Sequence, residues 1–348
     1  MADVSPPASP CLSRRTLLRL GASAAGMALL TGCGRRRPLL LASRGDLPSA
    51  WSKQLERTWS LDLLADPAAV VAAVLAGRPR AGLVQLADGW ATTLPHQRLQ
   101  PFGAEELLGQ LDPLAAPVSR LFGAPGSPCL ALPWSLQPWV LLLRDRPDLA
   151  RRREEGWALL LDPSLRGRLV LPSSPRVVIE LVGGDPTRLG QLRRQALASD
   201  ERDGLNLLLS GLADAMVLPR QRVVPLLVRD PRLQAVLPAA GGPLSWSLLL
   251  RPAKAPPPPL AWLAAAFRPP LLPRLLAAGW VPPLPRELLA KALRGFPAAT
   301  AELLLPPAGV IERCRSLPPL GASERQALQA LWDDSTPATP PGRAGFWG

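Results

Sequence analysis

Two guanidinium groups, Arg220 and Arg222, follow the apolar run Ala215-Met216-Val217-Leu218 and a proline. A guanidinium can make two parallel hydrogen bonds to a carboxylate or phosphate. A pair of them at the end of a buried strand therefore reads as an anion clamp. Trp51, Trp90, Trp134 and Trp246 stand near the ends of predicted strands or in the loops beside them. Their indole faces can wall the apolar part of a ligand. Ser174, with Ser173 beside it in sequence, and Ser247 can donate hydroxyl hydrogens to the same molecule, and Asp88 is a candidate acid. Each residue also has a plain structural reading. The tryptophans can be core aromatics and the arginines solvated loop cations. Ser173-Ser174 can be a proline-bounded turn, and Asp88-Gly89 an ordinary Asp-Gly turn.

Catalytic chemistry finds little support. His96 is the single histidine, placed after Pro95 in a loop and away from any Ser-Asp pairing. The chain has no Gly-x-Ser-x-Gly elbow, no cluster with metal-ligand spacing and no phosphate-binding glycine loop. No cofactor or metal is expected, and the chain is read as a non-enzyme. A hydrolase working with carboxylates alone stays open as an alternative.

A second constellation lies near the start: Ser13-Arg14-Arg15-Thr16-Leu17-Leu18-Arg19, an uncharged stretch, then Leu30-Thr31-Gly32-Cys33. The Arg14-Arg15 pair ahead of an apolar Gly/Ala/Leu run resembles a twin-arginine export signal. The uncharged stretch 20–32 is too short to cross hydrocarbon about 30 Å thick. Leu30-Thr31-Gly32-Cys33 resembles a lipobox: small residues admit the peptidase, and the Cys33 thiol can take a diacylglycerol thioether. Residues 1–32 are thus expected to be a cleaved signal. Residues 33–37 then form a lipidated tether, in which Arg35-Arg36-Arg37 suit an anionic bilayer surface. Cleavage at Ala22-Ser23-Ala24 and an uncleaved signal anchor are the alternatives. The expected location is the extracytoplasmic face of a membrane, or periplasm.

Composition agrees with an exported globular chain. At 47% hydrophobic over 348 residues it can bury a real core. Net charge is +13, and residues 33–348 carry about +11. In the cytosol such charge would suggest nucleic acid. Here the export signal, and arginines scattered rather than striped with aromatics, argue against a nucleic-acid partner. With 44 prolines and no tyrosine, the chain has drifted toward Arg, Ala, Leu and Pro, so charge alone says little about a ligand. Of the cysteines, Cys129 and Cys314 remain after processing. They are read as two unpaired thiols, with a disulfide as the alternative.

The elements that must position these groups alternate. Residues 38–42 read as a strand, 46–59 as a helix carrying Trp51, 66–76 as a helix capped by Asp66-Pro67, and 82–86 as a strand followed by a turn to Trp90. Residues 130–133 and 139–143 read as two strands joined by the Trp134–Pro138 connection. Residues 213–218 form a strand leading into the Arg220-Arg222 loop. Alternation of this kind implies parallel βα units with ligand groups at the carboxyl ends of strands. No internal repeat is present. Residues 335–348, rich in Pro, Gly and Thr, read as a disordered tail.

The order of several motifs now becomes recognisable. Gly156-Trp157-Ala158-Leu159-Leu160-Leu161-Asp162-Pro163-Ser164-Leu165-Arg166-Gly167-Arg168-Leu169 resembles the W-x-x-L-x-D-P-x-L-x-G segment of polyamine-type (spermidine/putrescine) periplasmic solute-binding proteins of ABC importers. Gly211-Leu212-Ala213-Asp214, then Val236-Leu237-Pro238-Ala239-Ala240-Gly241-Gly242, and Ala277-Ala278-Gly279-Trp280-Val281-Pro282 resemble that family's later elements in the same order. The resemblance covers about residues 38–300. It implies an α/β, two-lobed type II periplasmic-binding fold with a ligand cleft between lobes. Residues 38–138 with 247–289 would form lobe 1, and 139–246 with 290–334 lobe 2. It further implies a small-molecule solute taken to an ABC permease; a monomer is expected, held to the membrane by the lipid that the lipobox motif assigns to Cys33. Trp51, Trp90, Trp134, Trp246, Ser174, Ser247, Arg220 and Arg222 would line the cleft.

The sequence departs from the polyamine pattern where it matters most. The loop after Leu171 reads Pro172-Ser173-Ser174-Pro175-Arg176 where relatives carry acids. Ser247 follows Trp246 where they carry aspartate, and Pro219-Arg220 stand where they carry tryptophan. A buried ammonium needs a carboxylate partner, so a divergent member with a neutral or anionic solute is expected. An envelope scaffold lipoprotein that has lost ligand binding is the competing class. A ligand retained in the purified protein would separate the two.

Overall fold

Strand β1 (Leu39–Ser43) is buried along its whole length, as its apolar run requires. It lies in the first sheet of the computed structural model, which describes residues 37–200, 203–318 and 320–335. Strands β2 (Ser60–Leu64) and β3 (Ala81–Ala87) flank β1 in parallel. The helix Pro67–Leu75 connects them. The Asp66 carboxylate accepts from the Ala69 amide at 2.8 Å, and Pro67 takes the first helical position, where no N–H is needed.

The central feature is β4 (Ala131–Arg144), buried from residue 131 to 143. Sequence suggested two strands and a connection here; the structure has one continuous strand serving two sheets. Residues 131–138 pair antiparallel with β9 (Pro243–Leu250), which also pairs antiparallel with β3. Residues 139–143 pair antiparallel with β7 (Ala215–Pro219), and 141–144 with β8 (Leu233–Val236). The prolines explain how one strand does both. Pro133 sits beside a register irregularity, and Pro138 stands where the partner β9 gives way to β7. A missing N–H costs least at such places. The second sheet continues in parallel through β5 (Leu169–Leu171) to β6 (Ala196–Ser199). The short β10 (Arg315–Ser316) adds to β9. The sheets are therefore mixed rather than purely parallel, because β9 runs against β3 and β4, and β4 runs against β7 and β8.

Three apolar clusters cover these sheets. One runs under both, joining Leu40, Leu83 and Leu249 of the first to Val140, Leu142 and Leu218 of the second. The other two each cover one sheet. Trp51 and Trp134 are fully buried in the shared cluster. Trp51 stacks on Trp262 with ring centroids 4.3 Å apart, and Trp134 stacks on Trp280 at 4.9 Å. The indole N–H of Trp51 donates to the Trp262 carbonyl and that of Trp262 to the Trp51 carbonyl, both at 3.0 Å.

The helix expected over residues 46–59 is short. Only Ser49–Ser52 is helical, and the polar residues after it turn into β2, an edge strand with Leu61 and Leu64 half-buried and Leu63 exposed. Cys129 and Cys314 are both free thiols. Arg14, Arg15, Cys33 and residues 336–348 of the tail lie outside the described residues. No described helix is long and apolar enough to cross a membrane.

Candidate functional site

The chain leaves β1 at Ser43 and turns through Arg44-Gly45-Asp46 before the Ser49–Ser52 helix. Across from this turn, the helix Arg220–Arg229 starts directly after β7. Between them lies a cavity of about 740 Å³. Its charged lining is Arg44, Arg222 and Arg274 against Asp46, and its apolar lining includes Leu61, Leu63 and Trp280. Such a volume suits a small molecule. The two carboxyl strand ends, after β1 and after β7, are where α/β sheets place ligand groups.

The walls are closely fitted. A Cβ on Gly279 would stand 2.7 Å from Gln221 Cα, and Gly279 has φ +82°. Only glycine lets this segment pass so close to the start of the Arg220–Arg229 helix. Burial pushes the Asp46 carboxyl up.

Of the residues named from sequence, Arg222 alone lines this cavity. Arg220 is turned away from it and is fully buried, donating to the carbonyls of Leu303 (3.2 Å), Leu304 (3.1 Å) and Leu136 (2.9 Å). Burial pushes its guanidinium down to about 9, so it is still cationic at neutral pH. The reason for the split is helical geometry: residues two apart on a helix point to opposite sides. Sequence had placed both arginines on a loop. Trp51 and Trp134 are core aromatics. Trp246 is buried and its indole donates to the Ser316 hydroxyl at 2.7 Å. Trp90 lies on the short helix Asp88–Ala91 and is 41% exposed. The Ser174 hydroxyl caps the helix Pro175–Leu181 by accepting from Val177. Ser247 is buried in the ladder between Ala87 and Ser135.

Sequence reading missed Arg44, Asp46, Arg274 and Trp280. Arg44 and Asp46 follow a buried strand directly, which was a usable signal. Trp280 stood in a quoted family motif without being assigned a site. Nothing local marks Arg274, an exposed cation on the Leu271–Ala277 helix.

Asp88 is the other notable acid. It is 4% exposed and accepts from the Trp246 amide at 3.2 Å, while its second oxygen has no hydrogen-bond partner. Burial pushes its carboxyl up to about 6, against the pull of that amide and of Arg176. The folded protein then holds this proton at pH values where the unfolded chain, near 3.9, has lost it. Stability should therefore fall as pH rises from about 4 to about 6, by up to about 3 kcal/mol. Asp88→Asn keeps the acceptor for Trp246 and should remove that part of the slope. Melting temperatures of both proteins across pH 4 to 7 check it, and parallel curves would refute it.

No protein-family model matches the chain, and no curated protein matches it. Solved structures do. The spermidine/putrescine ABC transporter substrate-binding protein PotD of Streptococcus pneumoniae, crystallised with calcium and HEPES, superposes with a TM-score of 0.70 at 12% identity, over 86% of this chain and 98% of that one. Iron-bound HitA of Pseudomonas aeruginosa gives 0.59 at 12% identity over 86% and 99%. The TpPotD lipoprotein of Treponema pallidum gives 0.59 at 14% identity over 86% and 98%. At these identities the likeness is one of fold, and the chain has the two-lobed, type II α/β fold that such periplasmic substrate-binding proteins share.

Proposed function

We propose that this protein is a lipid-anchored, extracytoplasmic solute-binding component of an ABC importer. The observation that carries the reading is the cavity of about 740 Å³ between the β1 turn and the helix after β7. It is bounded by the two carboxyl strand ends of a fold whose solved neighbours include ABC transporter substrate-binding proteins. Binding, rather than turnover, is the role. The twin-arginine and Cys33 motifs supply export and anchoring, and an ABC permease is the receiving partner. The protein acts as a monomer whose lobes close by hinge motion. The solute is neutral or anionic. A polyamine would place ammonium groups among three arginines and a single aspartate.

A thermal-shift screen over polyamines, amino acids, carboxylates, phosphates and sugars tests the reading, because a ligand that binds only the folded state raises its stability. The expected result is a shift with at least one non-polyamine and none with spermidine. A shift with nothing would favour the scaffold alternative. Anchoring is tested separately by intact mass of the protein from its native membrane. A diacylglyceryl-modified chain starting at Cys33 is expected, and an unmodified start elsewhere would refute it.

A further inference from the structure

We propose that the end of the described chain is a strap. Its first part, Arg313–Leu317, holds the first sheet, the helix Ala322–Asp334 holds the second, and together they restrain the motion of one sheet against the other. This goes beyond the solute-binding reading and uses only its hinge. The chain passes between the sheets in β4 and again in the residues that lead from β8 to β9. The strap packs on that second passage. Arg313 donates to the Ala239 carbonyl at 2.8 Å, and Gly241, at φ +77°, lies so close to the Arg313 backbone that a Cβ would not fit. β10 then pairs in parallel with the start of β9, and the Ser316 hydroxyl accepts from the Trp246 indole. One residue later the chain is held from the other sheet. Arg176, on the helix that follows β5, donates to the Leu317 carbonyl at 3.0 Å, and Arg315 reaches Glu180 of the same helix at 3.5 Å. The helix Ala322–Asp334 lays Leu328, Leu331 and Trp332 against the apolar cluster of the second sheet. The Arg193 guanidinium stands 3.8 Å over the Trp332 ring and donates to the Trp332 carbonyl and the Ser335 hydroxyl.

The two ends are fastened unequally. The first is fixed by ladder pairing to β9 and by Cys314, which is buried in the cluster that covers the first sheet. The helix has no fully buried residue, which puts it at the low end of local stability. It is therefore the end that lets go. While it is docked, the short link from Leu317 to Ala322 can extend by only about 3.6 Å per residue, so the sheets can part along this edge no further than the link allows. Arg193→Gln combined with Trp332→Ala should release the helix. Trp332→Phe keeps a ring under the guanidinium and should keep it docked. Hydrogen exchange and small-angle scattering of the purified full chain, without solute, read the outcome. In the double variant, amides of residues 322–335 should exchange on the order of tenfold faster or more, while β9 and β10 stay protected. The radius of gyration should rise by about 1 Å above the roughly 20 Å of a compact chain this long. Trp332→Phe should match the parent in both. Release of the helix with unchanged scattering would show that it restrains nothing. Loss of protection in β9 and β10 together with the helix, or a helix that stays protected in the double variant, would show that it is not a releasable end. Each of these results leaves the thermal-shift test of solute binding untouched.

Discussion

Arg220→Ala should lower stability by about 3 to 5 kcal/mol, a fall in melting temperature on the order of 10 °C. The guanidinium is fully buried and bonds three carbonyls on two distant segments. Leu303 and Leu304 close the helix Ala298–Leu304, so two of these carbonyls are ones that the helix itself cannot satisfy. The positive charge also faces the negative end of that helix. The third, Leu136, lies in β4 just before the strand passes from one sheet to the other. Truncation strands all three acceptors and leaves a cavity. Arg220→Met separates the contributions: it fills the space and removes the cost of burying a charge, so it should lose less than alanine. Lysine, a point donor without the planar fork, cannot replace both arms. Urea unfolding of the four proteins measures this. An alanine variant as stable as the parent would mean that the carbonyls find water instead.

Trp51→Ala should cost a comparable amount, about 3 to 5 kcal/mol, by opening a void in the shared core. The indole is fully buried, stacks on Trp262 and lies 4.9 Å from Trp134. Its removal also leaves the Trp262 carbonyl without its 3.0 Å donor. Trp51→Phe keeps a ring but not the N–H, and should lose roughly half as much. Neither substitution removes a group that lines the Arg222 cavity, so the affinity of the phenylalanine variant for any solute should stay near that of the parent. Denaturant titration and calorimetry together test both halves. A stable alanine variant with impaired solute binding would make Trp51 a ligand contact rather than a core stack.

Much of the frame could be read from residue order alone. Asp66-Pro67 announced a helix start because capping is a local act, complete within four residues. The buried strands β1, β3 and β7 were legible because each is a short apolar run. The Gly241-Gly242 pair, noted as a motif, is where backbone passes backbone. A Cβ on Gly241 would stand 2.5 Å from the Arg313 carbonyl carbon. The fold class followed from the order of such motifs.

The site was another matter. Eight residues were named for the cleft, and their side chains were divided by geometry that sequence does not encode locally. Arg220 and Arg222 went opposite ways because a helix, not a loop, begins at Arg220. Trp51 and Trp134 went into the core because two aromatics distant in sequence, Trp262 and Trp280, were there to stack on. Arg274 joined the cavity from a helix more than two hundred residues beyond Arg44. Local sequence determines which segments become strands, helices and caps, because those depend on near neighbours. Which side chains share a cavity is a long-range outcome of packing, and only the tertiary structure decided it.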